Sequence, residues 1–183
     1  MTAKRAFLIT GSPGCGKTTL VRRLVEELGV SAGGFYTQEL RASGRREGFG
    51  LTTLDGETAT LASVHIDGGP RVSRYGVNPA AMDDVATPAI ERAIAEAQLI
   101  VIDEIGKMEL LSNRFRQAVL VALECGKPVL ATIMLGGHPW ADALKRRPEV
   151  RLLVLTEANR AQIAADILPD LRQLLREDAA RPR

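Results

Sequence analysis

The chain has 183 residues, enough for one domain with a substantial buried core. Its 45% apolar and 25% charged content is that of a globular protein, and no apolar run approaches the ~20 residues that a membrane helix needs. A net charge of +2, from 24 basic and 22 acidic side chains, argues against nucleic acid as a partner, and short clusters such as Arg45-Arg46 and Lys145-Arg146-Arg147 read as solvated faces. Two cysteines, Cys15 and Cys125, are too few for a disulfide framework and point to a reduced, cytoplasmic setting.

Residues 5–10 are an apolar run ending at Gly11, the pattern of a buried strand, and too short for the core of a signal peptide. Residues 17–28 place Leu20, Val21, Leu24, Val25 and Leu28 at helical spacing, with Gly29 as the stop. From 31 to 77 the chain alternates like β structure, in GGFYTQEL, REGFGLTTL and ETATLASV, punctuated by glycines. This predicts a sheet strand near 34–37 and then a β-rich insertion over about 38–77. Residues 78–97 read as a helix that Pro88 breaks or restarts. Residues 99–103 form a strand almost without polar side chains, as in a parallel sheet covered on both faces.

The remainder alternates regularly. A helix over 109–124 ends at Gly126, a strand covers 128–133 and a short helix 139–147. A strand over 150–155 precedes a last helix over 159–177, with Asn159 as its N-cap, and the tail AARPR reads as frayed. The alternation predicts a single three-layer α/β domain over 1–183, with a mostly parallel sheet and helices on both faces.

Residues 11–18, GSPGCGKT, fit G-x-x-x-x-G-K-[ST] without a gap, after a strand and at the start of a helix. Gly11, Gly14 and Gly16 let the backbone curl so that N–H groups point inward and, with the helix N-terminus, form a nest for phosphate oxygens. Ser12, Pro13 and Cys15 complete the loop, Cys15 at a free position where a small side chain fills space. Lys17 supplies a cation for the β and γ phosphates, and the Thr18 hydroxyl is a ligand for Mg²⁺ bridging the same phosphates. Thr19 offers a hydroxyl to the α-phosphate.

Such a loop needs an acid at the end of a neighbouring strand to hold the Mg²⁺ shell, and Asp103 is the best candidate in the chain. The adjacent Glu104 reads as a general base for an attacking water, a role worth about 10²–10⁴ in rate. An ion pair with Lys107, or a cap on the following helix, is the structural alternative. A phosphotransferase must exclude water and gains nothing from such a base.

GSPGCGKTTL, GGFYTQELRASGRREGF, RYGVNP, VIDEIGKMELLSNRF and TEANR occur in that order. Over nearly its whole length the chain resembles the small P-loop nucleoside-triphosphatase family first described from thermophiles, also called the cancer-related nucleoside-triphosphatase family. DEIGKMEL with GFYT is far more specific than the phosphate loop alone. The resemblance implies Mg²⁺-dependent hydrolysis of nucleoside triphosphates, ATP and GTP among them, to diphosphate and phosphate, with broad base tolerance and slow turnover. It implies a RecA-like or related additional-strand core, with the glutamate beside the Mg²⁺ acid as base. Lys107 matches the family's lysine in the same segment. Asn78 stands where the family often has aspartate after Tyr-Gly-Val, so that position is assigned no chemistry.

A second cation on the γ-phosphate is worth ~10³–10⁵ in turnover, and Lys107, Arg114, Arg41, Arg45 and Arg46 are the candidates. Asn159 and Arg160 follow a late strand, where the nucleobase belongs, although helix capping explains Asn159 equally well. Phe35 and Tyr36 read as core, and His65, His138 and Trp140 as structural. Two other readings of the same core remain open. One is a nucleotide or nucleic-acid kinase using the 31–77 segment and its arginines as acceptor pocket and lid. The other is a triphosphate-dependent switch for an unknown protein partner.

Overall fold

The structure, a computed structural model, describes residues 4–180; the end of the tail AARPR lies outside them. The first strand, β1 (Ala6–Thr10), is buried along its whole length. Its side chains alternate between two cores: Ala6 and Leu8 face one, Phe7 and Ile9 the other. The loop after it leads into α1 (Lys17–Leu28), which buries Leu20, Val21 and Leu24 and ends at Gly29 in the left-handed conformation.

β2 (Ala32–Ala42), β3 (Arg45–Thr53) and β4 (Thr58–Ser63) follow, then the short β5 (Arg71–Val72) and β6 (Tyr75–Val77). The segment read as an insertion therefore extends the main sheet instead of forming a separate lid. Only β2 joins the parallel part, pairing Ala32–Tyr36 with residues 99–103; the rest of β2 runs on to build an antiparallel hairpin with β3.

The helix expected over 78–97 runs without a break from Pro79 to Glu96, and its one irregularity, a π-helical turn, precedes Pro88. A single turn, α2 (Pro79–Ala81), passes through a π-helical turn (Met82–Ala86) into α3 (Thr87–Glu96). Pro88 lies in the first turn of α3 and, having no N–H, donates nothing to the carbonyls of the π-helical turn before it. β7 (Leu99–Ile105) is two residues longer than the strand expected over 99–103, so both acids belong to the strand itself.

The helix read over 109–124 begins later. Glu109–Leu111 is a 3₁₀ turn, and Ser112 then caps α4 (Asn113–Glu124) by accepting the Phe115 N–H at 2.9 Å. β8 (Val129–Ile133), α5 (Pro139–Leu144), β9 (Val150–Val154) and α6 (Arg160–Ala179) complete the chain. Asn159 stands at the N-cap position of α6 without bonding the helix through its side chain.

The nine strands make one sheet in the order β5-β6-β4-β3-β2-β7-β8-β1-β9. The five from β2 to β9 are parallel and the four beyond β2 antiparallel. One core packs β1, β7 and β8 against α1 and α6; the other packs the opposite face against α3, α4 and α5. This is the three-layer α/β arrangement expected. β8 separates the phosphate-loop strand β1 from the acid strand β7, the additional-strand order that the resemblance implied. No described helix is long and apolar enough to cross a membrane.

Candidate functional site

The loop after β1, the end of β7, Thr132 on β8 and the residues after β9 all lie at the carboxyl ends of the parallel strands, where open α/β sheets bind ligands. Gly11, Gly14 and Gly16 have φ of 155°, 79° and 95°, which side-chain-bearing residues adopt at a cost. A Cβ on Gly11 would also collide with the Leu155 carbonyl and with Cys15 Sγ. Ser12, Pro13 and Gly14 face solvent, while Cys15 turns inward and joins the core on the α1 side.

Lys17 Nζ donates to the Gly11 carbonyl at 3.1 Å and to the Ser12 carbonyl at 3.4 Å, arching over the loop. Arg160, at the start of α6, donates from Nε to the Cys15 carbonyl at 2.8 Å, and its guanidinium lies beside Gly16. It braces the phosphate loop from outside. Asn159 uses both ends of its amide on the loop after β9, accepting from the Thr156 N–H at 2.8 Å and donating to the Val154 carbonyl at 2.9 Å. Thr19 and Lys107 are exposed.

Asp103 is fully buried. Its Oδ1 accepts from the Thr132 hydroxyl at 2.6 Å, and its Oδ2 is buried without a hydrogen-bond partner. Burial raises its pKa, opposed by Thr132, the nearby Thr18 hydroxyl, the Thr37 backbone and the Arg22 charge. Arg22, one turn beyond Thr18, stacks its guanidinium 4.5 Å from the ring centre of Tyr36, which pairs with Asp103 across β2 and β7. The orphaned carboxylate oxygen beside a helix-start hydroxyl is a donor set suited to a hard divalent cation that also takes phosphate oxygens.

Between the pairs Ile102–Ala131 and Ile105–Ile133, β7 carries one residue more than β8. Asp103 and Glu104 thus oppose the single residue Thr132 in a bulge, and the peptide between them is cis. Glu104 is half-buried and, among the described residues, makes no hydrogen bond or ion pair, with Lys107 or with any other side chain. Burial raises its pKa, Lys17 lowers it and Asp103 raises it again. Its carboxylate therefore sits in the field of the loop lysine and of its neighbour.

A third acid, absent from the sequence-level candidates, completes the cluster. Glu109 is 6% exposed, and Oε2 accepts the Gly106 N–H at 3.1 Å. Burial, then repulsion by Glu104, pushes its pKa up to about 8. The other arginine candidates are occupied elsewhere: Arg114 on Asp83 and Glu91, Arg41 and Arg46 on Glu39. Arg45 is exposed near the tip of the β2–β3 hairpin. Glu109 carried one readable signal, its place between Met108 and Leu110 in an otherwise apolar segment. Nothing local marked Arg22, Tyr36 or Thr132.

A family model described as NTPase matches residues 6–168. The nucleoside-triphosphatase THEP1 of Thermotoga sp. (strain RQ2) is 44% identical over 166 residues, covering 91% of this chain and 95% of that protein. The crystal structure of THEP1 from the hyperthermophile Aquifex aeolicus superposes with a TM-score of 0.83 at 41% identity, covering 91% of this chain and 98% of that one. The solution structure of a human cancer-related nucleoside triphosphatase gives 0.77 at 36% identity, covering 97% and 100%. The matched span runs from β1 into α6 and holds every residue of the cluster above, so the chain belongs to this NTPase family.

Proposed function

We propose that this protein is a Mg²⁺-dependent nucleoside-triphosphate phosphohydrolase that cleaves the γ-phosphate of ATP, GTP and other nucleoside triphosphates, slowly and with broad base tolerance. The observation that carries the reading is Glu104, a half-buried carboxylate beside Asp103 that is spent on no internal bond. The family of the chain supports the reaction class.

The backbone N–H groups of residues 11–18 cradle the phosphates, and Lys17 exchanges its bonds to the Gly11 and Ser12 carbonyls for β- and γ-phosphate oxygens. Thr18 and Asp103 are the residues that would hold Mg²⁺, and the unpartnered Asp103 Oδ2 fits that task. When bound, Mg²⁺ neutralises charge that develops on the phosphate oxygens. A water in line with the γ-phosphorus loses a proton to Glu104 as its oxygen bonds phosphorus and the bond to the β-phosphate oxygen breaks. The products are nucleoside diphosphate and phosphate. A raised carboxyl pKa strengthens Glu104 as a base near neutral pH. Arg160 acts on the phosphate loop, with Asn159 ordering the loop that leads to it. The free thiols Cys15 and Cys125 suit a reducing, cytoplasmic setting.

The test is phosphate release from Mg²⁺ with ATP, GTP, CTP and UTP in turn, for wild type and Glu104→Gln, with no other acceptor present. The reading expects release from several nucleotides and a fall of about 10²–10⁴ in the variant with binding retained. A wild type that binds but releases no phosphate would return the weight to a kinase or a partner-gated switch.

A further inference from the structure

Glu109 is a buried carboxylic acid with no cationic side chain bonded to it among the described residues, a placement that is costly for its charged form. The charged groups that face it from β7 are Glu104 and Asp103, both acidic. From α4 none does: Arg114 turns away to Asp83 and Glu91, and Arg116 bonds Asn113. Lys107, in the turn between, is exposed.

Gly106 lies where the two acids meet. A Cβ built on it would stand 2.9 Å from Glu109 Oε2 and 3.5 Å from Glu104 Oε1, so both carboxyls line one face of this glycine. Glu109 also holds the Gly106 N–H, two residues after Glu104. The Leu110 N–H returns to the Gly106 carbonyl at 3.0 Å, closing the turn on itself. The far end of the segment is fastened independently, through the Ser112 cap and its hydroxyl on Asp83.

From this geometry we infer that Glu109 is a positioning residue for hydrolysis: by anchoring Gly106 and flanking the Glu104 carboxylate, it fixes where that carboxylate stands relative to the attacking water. The inference rests on the reading of Glu104 as the base. The work of Glu109 is done by an acceptor oxygen on the Gly106 N–H and by the volume of its side chain, and neither needs a negative charge. Glutamine supplies both. Alanine supplies neither, and leaves a buried N–H without a partner.

The experiment measures kcat, KM and Mg²⁺·ATP binding for wild type, Glu109→Ala, Glu109→Gln, Gly106→Ala and Glu104→Gln. Displacing a catalytic group by about 1 Å costs on the order of 10²-fold in rate. Glu109→Ala should lose about 10- to 100-fold in kcat with nucleotide affinity within about threefold of wild type. Glu109→Gln should restore most of the rate. Gly106→Ala, whose methyl group would crowd Glu109 Oε2 at 2.9 Å and displace it from its place beside Glu104, should reproduce the alanine defect even if Glu109→Ala does not fold.

A Glu109→Ala or Gly106→Ala enzyme with wild-type kcat would overturn the inference. So would Glu109→Gln falling as far as Glu109→Ala, because the charge itself would then be required. If Glu104→Gln keeps full turnover, the reading of the base fails with the inference; if it collapses while Glu109→Ala does not, the inference alone fails.

Discussion

Replacing Glu109 by glutamine should make the stability of the protein less sensitive to alkali. The Glu109 carboxyl is held at a pKa of about 8, against an ordinary value of 4.5, chiefly because burial disfavours its charged form. In the unfolded chain it ionises from about pH 4.5 upward, whereas in the folded chain it keeps its proton until about pH 8. Across that window the folded state binds more protons, so stability falls as pH rises. The contribution is fully present below pH 4.5 and is lost by the time pH passes about 8. At about 1.36 kcal/mol per unit, a rise from 4.5 to about 8 corresponds to about 5 kcal/mol. Glutamine cannot ionise and is spared this loss. Urea unfolding of both proteins without metal or nucleotide, at half-unit steps from pH 4.5 to 9, reads the difference directly. Its value should grow by several kcal/mol in favour of the variant; a difference that stays flat across the window would refute the assignment of Glu109 as a buried, unpaired acid.

Arg160→Ala frees the Cys15 carbonyl and the flank of Gly16, so nucleotide affinity should weaken by several-fold while the melting temperature changes little; titration with a fluorescent triphosphate analogue measures it. Asp103→Asn should raise the Mg²⁺ concentration needed for half-maximal turnover, and an unchanged Mg²⁺ titration would remove Asp103 as the metal's acid. Gly34→Ala should destabilise the fold by more than about 2 kcal/mol, because Gly34 has φ 116° and a Cβ there would run into the Val101 carbonyl of the neighbouring strand. Thermal unfolding tests that loss.

The strand–loop–helix around residues 11–18 was readable because its pattern is local: glycines, a lysine and a hydroxyl within eight consecutive residues require only the strand and helix that flank them. Asp103 was readable at the end of a run of apolar residues, although β7 continues to Ile105 and its bulge cannot be seen in the pattern. Glu109 was read as the first residue of a helix because the apolar spacing from Leu110 onward is helical. The 3₁₀ turn and the Ser112 cap override that spacing, and the packing of β7 and α4 buries the acid. Arg160 was placed near a nucleobase from its position after a late strand. Its bond to a carbonyl 145 residues away is a fact of tertiary structure that no local pattern encodes. The antiparallel strands were recognised as β structure, while their continuity with the parallel sheet depends on β2 having two different partners along its length.

The neighbours of β1 carry a consequence for biosynthesis. Ala6 pairs with Val129 on one side and Val150 on the other, so β1 has no sheet partner until synthesis has reached β8. Through that interval a strand that is apolar but for Thr10 has both edges open, a state prone to aggregation. The phosphate loop hangs from its end, and Arg160 comes later still. A nascent chain that has not yet reached α6 therefore lacks the Arg160 brace on the loop of residues 11–18.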